Sequence, residues 1–255
     1  MPKITVTKDF ISGLPTTCAL SGVELAFCSG HVNLASLDRI NDKKGYYTRE
    51  NVWLVDIRFN TTAKWTPDKY QDALGSGWKH FVKTRGKSMP SPETQIKGFT
   101  LSKKLANLAD TGNERRSIKL IMDLCERQRG CCYYSNIPMS CWGRIGKDDW
   151  TVSVERLNQG SYTPDNTVLV CAEFNSLEYM TDRFEHLLFD GKPQGWNCDV
   201  VHWYRTRAQY SSLFRALREK KGIDVKTGVW SVSLELDISP TPSRCGTPSI
   251  LMASK

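Results

Sequence analysis

The chain has 255 residues, room for two domains of ordinary size, each able to bury its own core. A formal net charge of +8 despite 27 acidic residues favours a polyanionic partner, nucleic acid first. There is no apolar run of the ~20 residues that span a bilayer and no signal-peptide core in MPKITVTKDFISG, so membrane contact and secretion are both disfavoured.

In chain order, residues 1–83 read as a first unit. Leu37 leads a strand to Asp38, Gly45 opens a long loop, Val52-Trp-Leu-Val55 returns as a second strand, and Asn60 is placed in the first turns of a helix. Residues 84–130 are expected to hold a linker, Thr84 to Gly98, rich in Pro and Gly. Two amphipathic helices follow. Leu101, Leu105 and Leu108 mark one; Ile118, Ile121, Met122 and Cys125 mark the other, whose opposite face carries Arg115, Arg116, Lys119, Glu126 and Arg127.

Residues 131–221 repeat the first pattern. Val152 and Val154 alternate toward Glu155, Gly160 opens the loop, Val168-Leu-Val170 returns, and Asn175 is again assigned to a helix. A basic helix is then expected over Trp203–Lys221, with Arg205, Arg207, Arg215, Arg218, Lys220 and Lys221. Residues 222–255 form an extension whose last ~15 residues read as a disordered tail.

The two units echo each other at a period of about 115 residues, too few copies for a solenoid but enough for a tandem duplication. SLDRINDKKGYYTRENVWLVDIRFN, from Ser36, answers SVERLNQGSYTPDNTVLVCAEFN, from Ser153. Cys18-Ala-Leu-Ser-Gly22 answers Cys132-Tyr-Tyr-Ser-Asn136, and Thr66-Pro-Asp-Lys-Tyr70 is aligned with Met180-Thr-Asp-Arg-Phe184. Each copy thus holds an acid, an Arg and an Asn at fixed spacing. A β-hairpin packed on a helix, with an acid ending the first strand and an Asn on the helix, can hold one divalent ion through oxygen atoms, a donor set suited to Mg²⁺ or Mn²⁺.

These motifs resemble the HNH, or ββα-metal, endonuclease superfamily, and within it the phage- and virus-type proteins. The match covers about 25 residues in each copy and extends loosely to 45 or so. The resemblance implies an α+β fold with two tandem ββα-metal modules. It implies Asp38 and Glu155 as metal-binding acids, Asn60 and Asn175 as the final metal ligands, and Asn51 and Asn166 as braces of the catalytic loop. Arg39 and Arg156 stand where the family usually has a His general base. A guanidinium cannot accept a proton at neutral pH, but it can hold the scissile phosphate bidentately. The base must then come from elsewhere, with His31, Tyr46, Tyr47 and Tyr162 nearby; the two matched tyrosines, Tyr47 and Tyr162, read more readily as aromatic props.

Nine cysteines in a reducing compartment argue against a disulfide framework, as does their odd number. Cys18, Cys28 and His31, or Cys132, Cys141 and Cys171, are the sets a structural zinc would draw on. There is no paired C-x-x-C, so buried thiols are the default. Trp142, Trp150, Trp196 and Trp203 read as core, and His80, His186 and His202 as structural.

The expectation is therefore a monomeric, intracellular, phage-, virus- or bacterium-encoded endonuclease. It would cut double-stranded DNA with Mg²⁺ or Mn²⁺, one strand per module, and use Arg115, Arg116, Lys119, Arg205 and Arg207 as phosphate contacts. RNA is not separated from DNA at this level. The alternative is a DNA-binding protein that keeps the fold without turnover.

Overall fold

The computed structural model describes residues 8–27, 33–44, 47–61, 63–91, 94, 114–141, 148–158, 161–175 and 195–221, with backbone alone at 8, 9, 44, 114–117 and 213–221. The fold is α+β. A short helix α1 (Lys8–Ser12) precedes an antiparallel hairpin, β1 (Ala35–Arg39) and β2 (Val52–Asp56), and then α2 (Pro67–Ala73) and α3 (Trp78–Ser88). Helix α4 (Glu114–Arg127) leads to a second antiparallel hairpin, β3 (Val152–Arg156) and β4 (Thr167–Cys171), and the chain continues into α5 (Cys198–Lys221). No described helix is long and apolar enough to cross a membrane.

The sequence echo is also an echo of backbone hydrogen bonds. Cys18 N–H donates to Val23 O (2.7 Å) and Cys132 N–H to Ile137 O (2.8 Å). Ala19 N–H donates to Leu54 O (2.8 Å) and Tyr133 N–H to Leu169 O (3.0 Å), so each turn is sewn to its own hairpin. The turns need a left-handed residue, and the chain supplies Gly22 (φ 66°) and Asn136 (φ 56°), two residue types that tolerate it. The isolated bridges repeat as well: Thr17 with Glu24 matches Cys131 with Pro138, and Ala26 with Leu34 matches Ser140 with Thr151.

The two hairpins share one hydrophobic core. At its centre Trp65 stacks on Trp196 (5.6 Å, 28°), and each ring is met edge-on by Phe59 and Phe174 at 5.0–5.3 Å. The exchange is reciprocal. Trp65 Nε1–H donates to Glu173 O of the second half (2.9 Å), and Trp196 Nε1–H donates to Arg58 O of the first (2.8 Å). Arg58 and Glu173 each sit two residues before the matched Asn, so each half's indole bonds the matching turn of the other half. Next to them a buried Asp56–Arg58 pair (2.9 Å) receives Tyr204 Oη–H on Asp56 Oδ2 (3.0 Å). Burial lifts the Asp56 carboxyl above its usual range, against the pull of Arg58 and the Tyr204 hydrogen bond.

Several sequence expectations are corrected. The stretch Thr84–Ser88 is helical, the last turns of α3, because Arg85 finds partners on the second half: its Nε–H donates to Pro138 O (2.7 Å). Helix α3 thus runs past the expected boundary at residue 83 and meets the second half at Pro138. The buried face of α4 is Leu120, Ile121, Leu124 and Cys125, with Ile118 and Met122 at its margin. Helix α5 begins at Cys198 rather than Trp203, because Asn197 Oδ1 accepts Val200 N–H (2.8 Å), as Thr66 Oγ1 accepts Lys69 N–H (3.2 Å) at the start of α2. This makes Trp196-Asn197 the counterpart of Trp65-Thr66. The alternative partner, 180–184, lies outside the described residues, as do 101–108 and 222–255.

Candidate functional site

Each hairpin places its acid by strand alternation. Ser36 and Asp38 project from one face of β1, Ser153 and Glu155 from one face of β3. The two Asn residues reach that face, but not from a helix as expected. Asn60 closes the 3₁₀ turn Ile57–Phe59 by donating its backbone N–H to Ile57 O (3.1 Å), and Asn175 closes Ala172–Phe174 on Ala172 O (3.3 Å). Their amides make the same two bonds. Asn60 Nδ2 donates to Ser36 Oγ (3.0 Å) and Leu37 O (3.3 Å); Asn175 Nδ2 donates to Ser153 Oγ (2.6 Å) and Val154 O (3.1 Å). With Nδ2 turned to the strand, Oδ1 is the atom left to accept, beside the residue carrying the carboxylate.

The loop between strands is cinched by the middle Asn. Asn51 Oδ1 accepts Asn41 N–H (2.9 Å) while its Nδ2 donates back to Asn41 O (3.2 Å). Asn166 does the same with Asn158 (2.8 and 3.0 Å) and adds Ser161 O (3.1 Å). These bonds fix where the strand ends and therefore where Arg39 and Arg156 stand. Each guanidinium lies over the matched tyrosine ring, Arg39 over Tyr47 at 5.6 Å and Arg156 over Tyr162 at 5.1 Å. Arg39 also pairs with Asp42 (3.4 Å). His31, Tyr46 and Cys28 lie outside the described residues.

The two acids differ in their surroundings. Asp38 Oδ1 accepts Arg39 N–H (2.8 Å), and Oδ2 accepts both Trp53 Nε1–H (2.9 Å) and Lys64 Nζ–H (2.7 Å). Opposite Glu155, where Trp53 would be, β4 presents Val168. Tyr134 lies within the field of Glu155: its phenol is pushed well up by burial and then by the Glu155 charge. Trp53, Lys64 and Tyr134 escape a motif search because no fixed spacing links them to the acids.

Carboxylate and amide oxygens are the donors a hard divalent ion prefers, and Glu155 and Asn175 supply one of each. The Asp38–Asn60 pair offers the same atoms but already holds a cation, the Lys64 ammonium. Among the described residues no three His, Cys, Asp or Glu side chains converge on a common point. The thiols form pairs: Cys125 Sγ lies 3.9 Å from Cys141 Sγ, and Cys132 shares a hydrogen bond with Cys171. Of the set Cys132, Cys141 and Cys171 that a structural zinc would draw on, Cys132 thus pairs with Cys171 and Cys141 with Cys125. Cys18 Sγ accepts the Asp56 N–H (3.3 Å).

Of the expected phosphate contacts, Lys119 and Arg207 are exposed, and the side chains of Arg115 and Arg116 lie outside the described residues. Arg205 is a correction. It is buried, its Nε–H and Nη2–H donate to Ala73 O (2.9 Å) and Ser135 O (2.7 Å), and it stacks on Trp78 at 3.8 Å. Burial pushes its guanidinium down to about 10, which still leaves it protonated at neutral pH. Its position in α5 faces the core, where two carbonyls needed a donor. No family model matches the chain, and no curated protein or solved structure gives a significant match.

Proposed function

We propose that the protein is a divalent-metal-dependent DNA endonuclease built on two tandem ββα-metal, HNH-like modules. The observation that carries this reading is the twice-repeated placement of an acid and an Asn on one strand face, the Asn amide held so that its oxygen is the atom left to accept. Glu155 and Asn175 would hold Mg²⁺ or Mn²⁺, and the bound ion would polarise the phosphodiester and stabilise the departing 3′ oxygen. Arg156 supplies a fixed positive fork for the scissile phosphate, a contact worth more as charge develops. Tyr162 keeps that fork in place, and Asn166 keeps the loop from moving beneath it. The net charge of +8 and the exposed Lys119 and Arg207 suit the DNA backbone.

The second reading, an inactive HNH-fold protein that only binds DNA, draws its support from Lys64 already neutralising Asp38. Supercoiled plasmid with the purified protein separates the two. The nuclease reading predicts nicked or linear product with Mg²⁺ and none with EDTA; a retarded band with intact plasmid under both conditions favours the binding protein.

A further inference from the structure

Helix α3 carries a stripe of positive charge on its outer face. Lys79, Lys83 and Lys87 are all exposed, and their four-residue steps put them side by side, about 6 Å apart along the axis. Lys87 falls in line only because the helix runs on past residue 83. From Ala73 to Pro92 the sequence holds no acidic residue. Among the described residues no carboxylate pairs with any of the three lysines, and Lys79 has only the Trp78 ring, at 5.7 Å.

Helix stability alone would not arrange charge this way. Like charges at i and i+4 repel. Lys79 also stands in the first turn, where the helix dipole favours an acid and none is present. The opposite face holds the helix in place instead. Phe81 meets Trp150 (5.8 Å) and Arg85 Nε–H donates to Pro138 O (2.7 Å), while the nearby carboxylates Asp149 and Asp72 act on Arg85.

A partner with closely spaced negative charge relieves the repulsion, and the chemistry of α3 narrows which one. Its apolar face is already packed, so it has none left to enter a lipid surface. Its only exposed ring is that of His80, hydrogen-bonded to Thr84 (3.4 Å), too little of a platform for successive unstacked bases. Lysines meet phosphate as point charges, without the bidentate geometry by which Arg reads guanine. Resting on the DNA-binding part of the reading above and not on its metal site, we infer that α3 is a docking helix for the phosphate backbone of duplex DNA. Lys79, Lys83 and Lys87 are its contacts, and their contribution is independent of base sequence. Phe81 and Arg85 fix α3 to the second half, so the stripe holds the duplex at a set position relative to the β3–β4 hairpin.

Amine acetylation of the full-length chain, read by mass spectrometry with and without a short DNA duplex in EDTA, tests this without turnover. Duplex should protect all three lysines, and two duplexes of unrelated sequence should protect them equally. The triple variant Lys79→Gln/Lys83→Gln/Lys87→Gln should keep the wild-type circular dichroism, because Gln and Lys have similar helix propensity. Its slope of log affinity against log salt should be shallower by about three, and its affinity for both duplexes about tenfold lower or more. Full reactivity of the stripe on saturating duplex, or a folded triple variant with the wild-type salt slope, overturns the inference and leaves the nuclease reading intact. Protection by double-stranded RNA but not by DNA overturns the choice of partner. A wild type that binds no duplex at low salt removes the DNA reading itself, and this inference with it.

Discussion

Removing the Trp65 indole should destabilise both halves of the molecule at once. The ring is fully buried, touches Phe59, Trp150, Phe174 and Trp196, and donates its N–H to a carbonyl of the opposite half. Truncation of a core aromatic to Ala costs about 3–5 kcal/mol. Trp65→Phe keeps much of the apolar contact but strands the Glu173 carbonyl, and an orphaned buried acceptor costs about 1–3 kcal/mol. We therefore expect about 4–5 kcal/mol for Trp65→Ala and about 2–3 kcal/mol for Trp65→Phe, large fractions of a total near 5–15 kcal/mol. Trp196→Ala should resemble Trp65→Ala, because its N–H serves Arg58 in the same way. The rings stack on each other, so the double variant should depart from additivity by about 0.5–3 kcal/mol. Urea unfolding followed by fluorescence and circular dichroism measures all of this. A wild type that melts in two separate steps, or a Trp65→Ala loss below about 1 kcal/mol, would refute the shared core.

Other consequences follow from single contacts. Lys69 bridges Glu173 (2.7 Å) and Asp149 (2.8 Å); burial alone would lower its ammonium, but the two carboxylates raise it above 10.5. A raised folded value means this stabilisation is complete below pH 10.5 and is lost as pH climbs through the folded value. The melting temperature of the wild type should fall in that alkaline window, and Lys69→Met should lack the step while being weaker by about 3–5 kcal/mol at neutral pH, where Glu173 is left as an unpaired buried charge. Equal alkaline profiles for the two proteins would contradict the assignment. Arg205→Met should cost about 2–4 kcal/mol of stability and leave the salt dependence of DNA affinity unchanged. Lys119→Gln and Arg207→Gln should each reduce that salt slope by about one, with stability nearly untouched; the reverse pattern would reassign these residues.

The hairpins were legible in the sequence because alternation, turn residues and a second copy all pointed to the same strands. Asp38, Glu155, Asn51 and Asn166 stood out for the same reason: two copies keep what the local geometry needs. The seat of Asn60 is not legible in the sequence, since an apolar strand running into Phe-Asn looks the same whether a helix or a 3₁₀ turn follows. Trp196 was recognised as core but not as the twin of Trp65, because a longer segment separates it from Asn175 than separates Trp65 from Asn60. Arg205 sits among exposed basic residues of α5, and nothing in its helical spacing shows that two orphan carbonyls and an indole face await it. Lys64 reaches Asp38 across the hairpin from a stretch without regular structure, a contact that only the folded chain defines.

The most direct test is the Mg²⁺-dependent cleavage of plasmid by Glu155→Ala beside the wild type and the double variant Asp38→Ala/Glu155→Ala. Removing the carboxylate that would hold the ion should slow cutting by about a hundredfold or more, in the single and double variants alike, with folding and DNA affinity preserved. Cutting by the double variant at the wild-type rate, or full-rate cutting by the wild type in EDTA, would contradict the account.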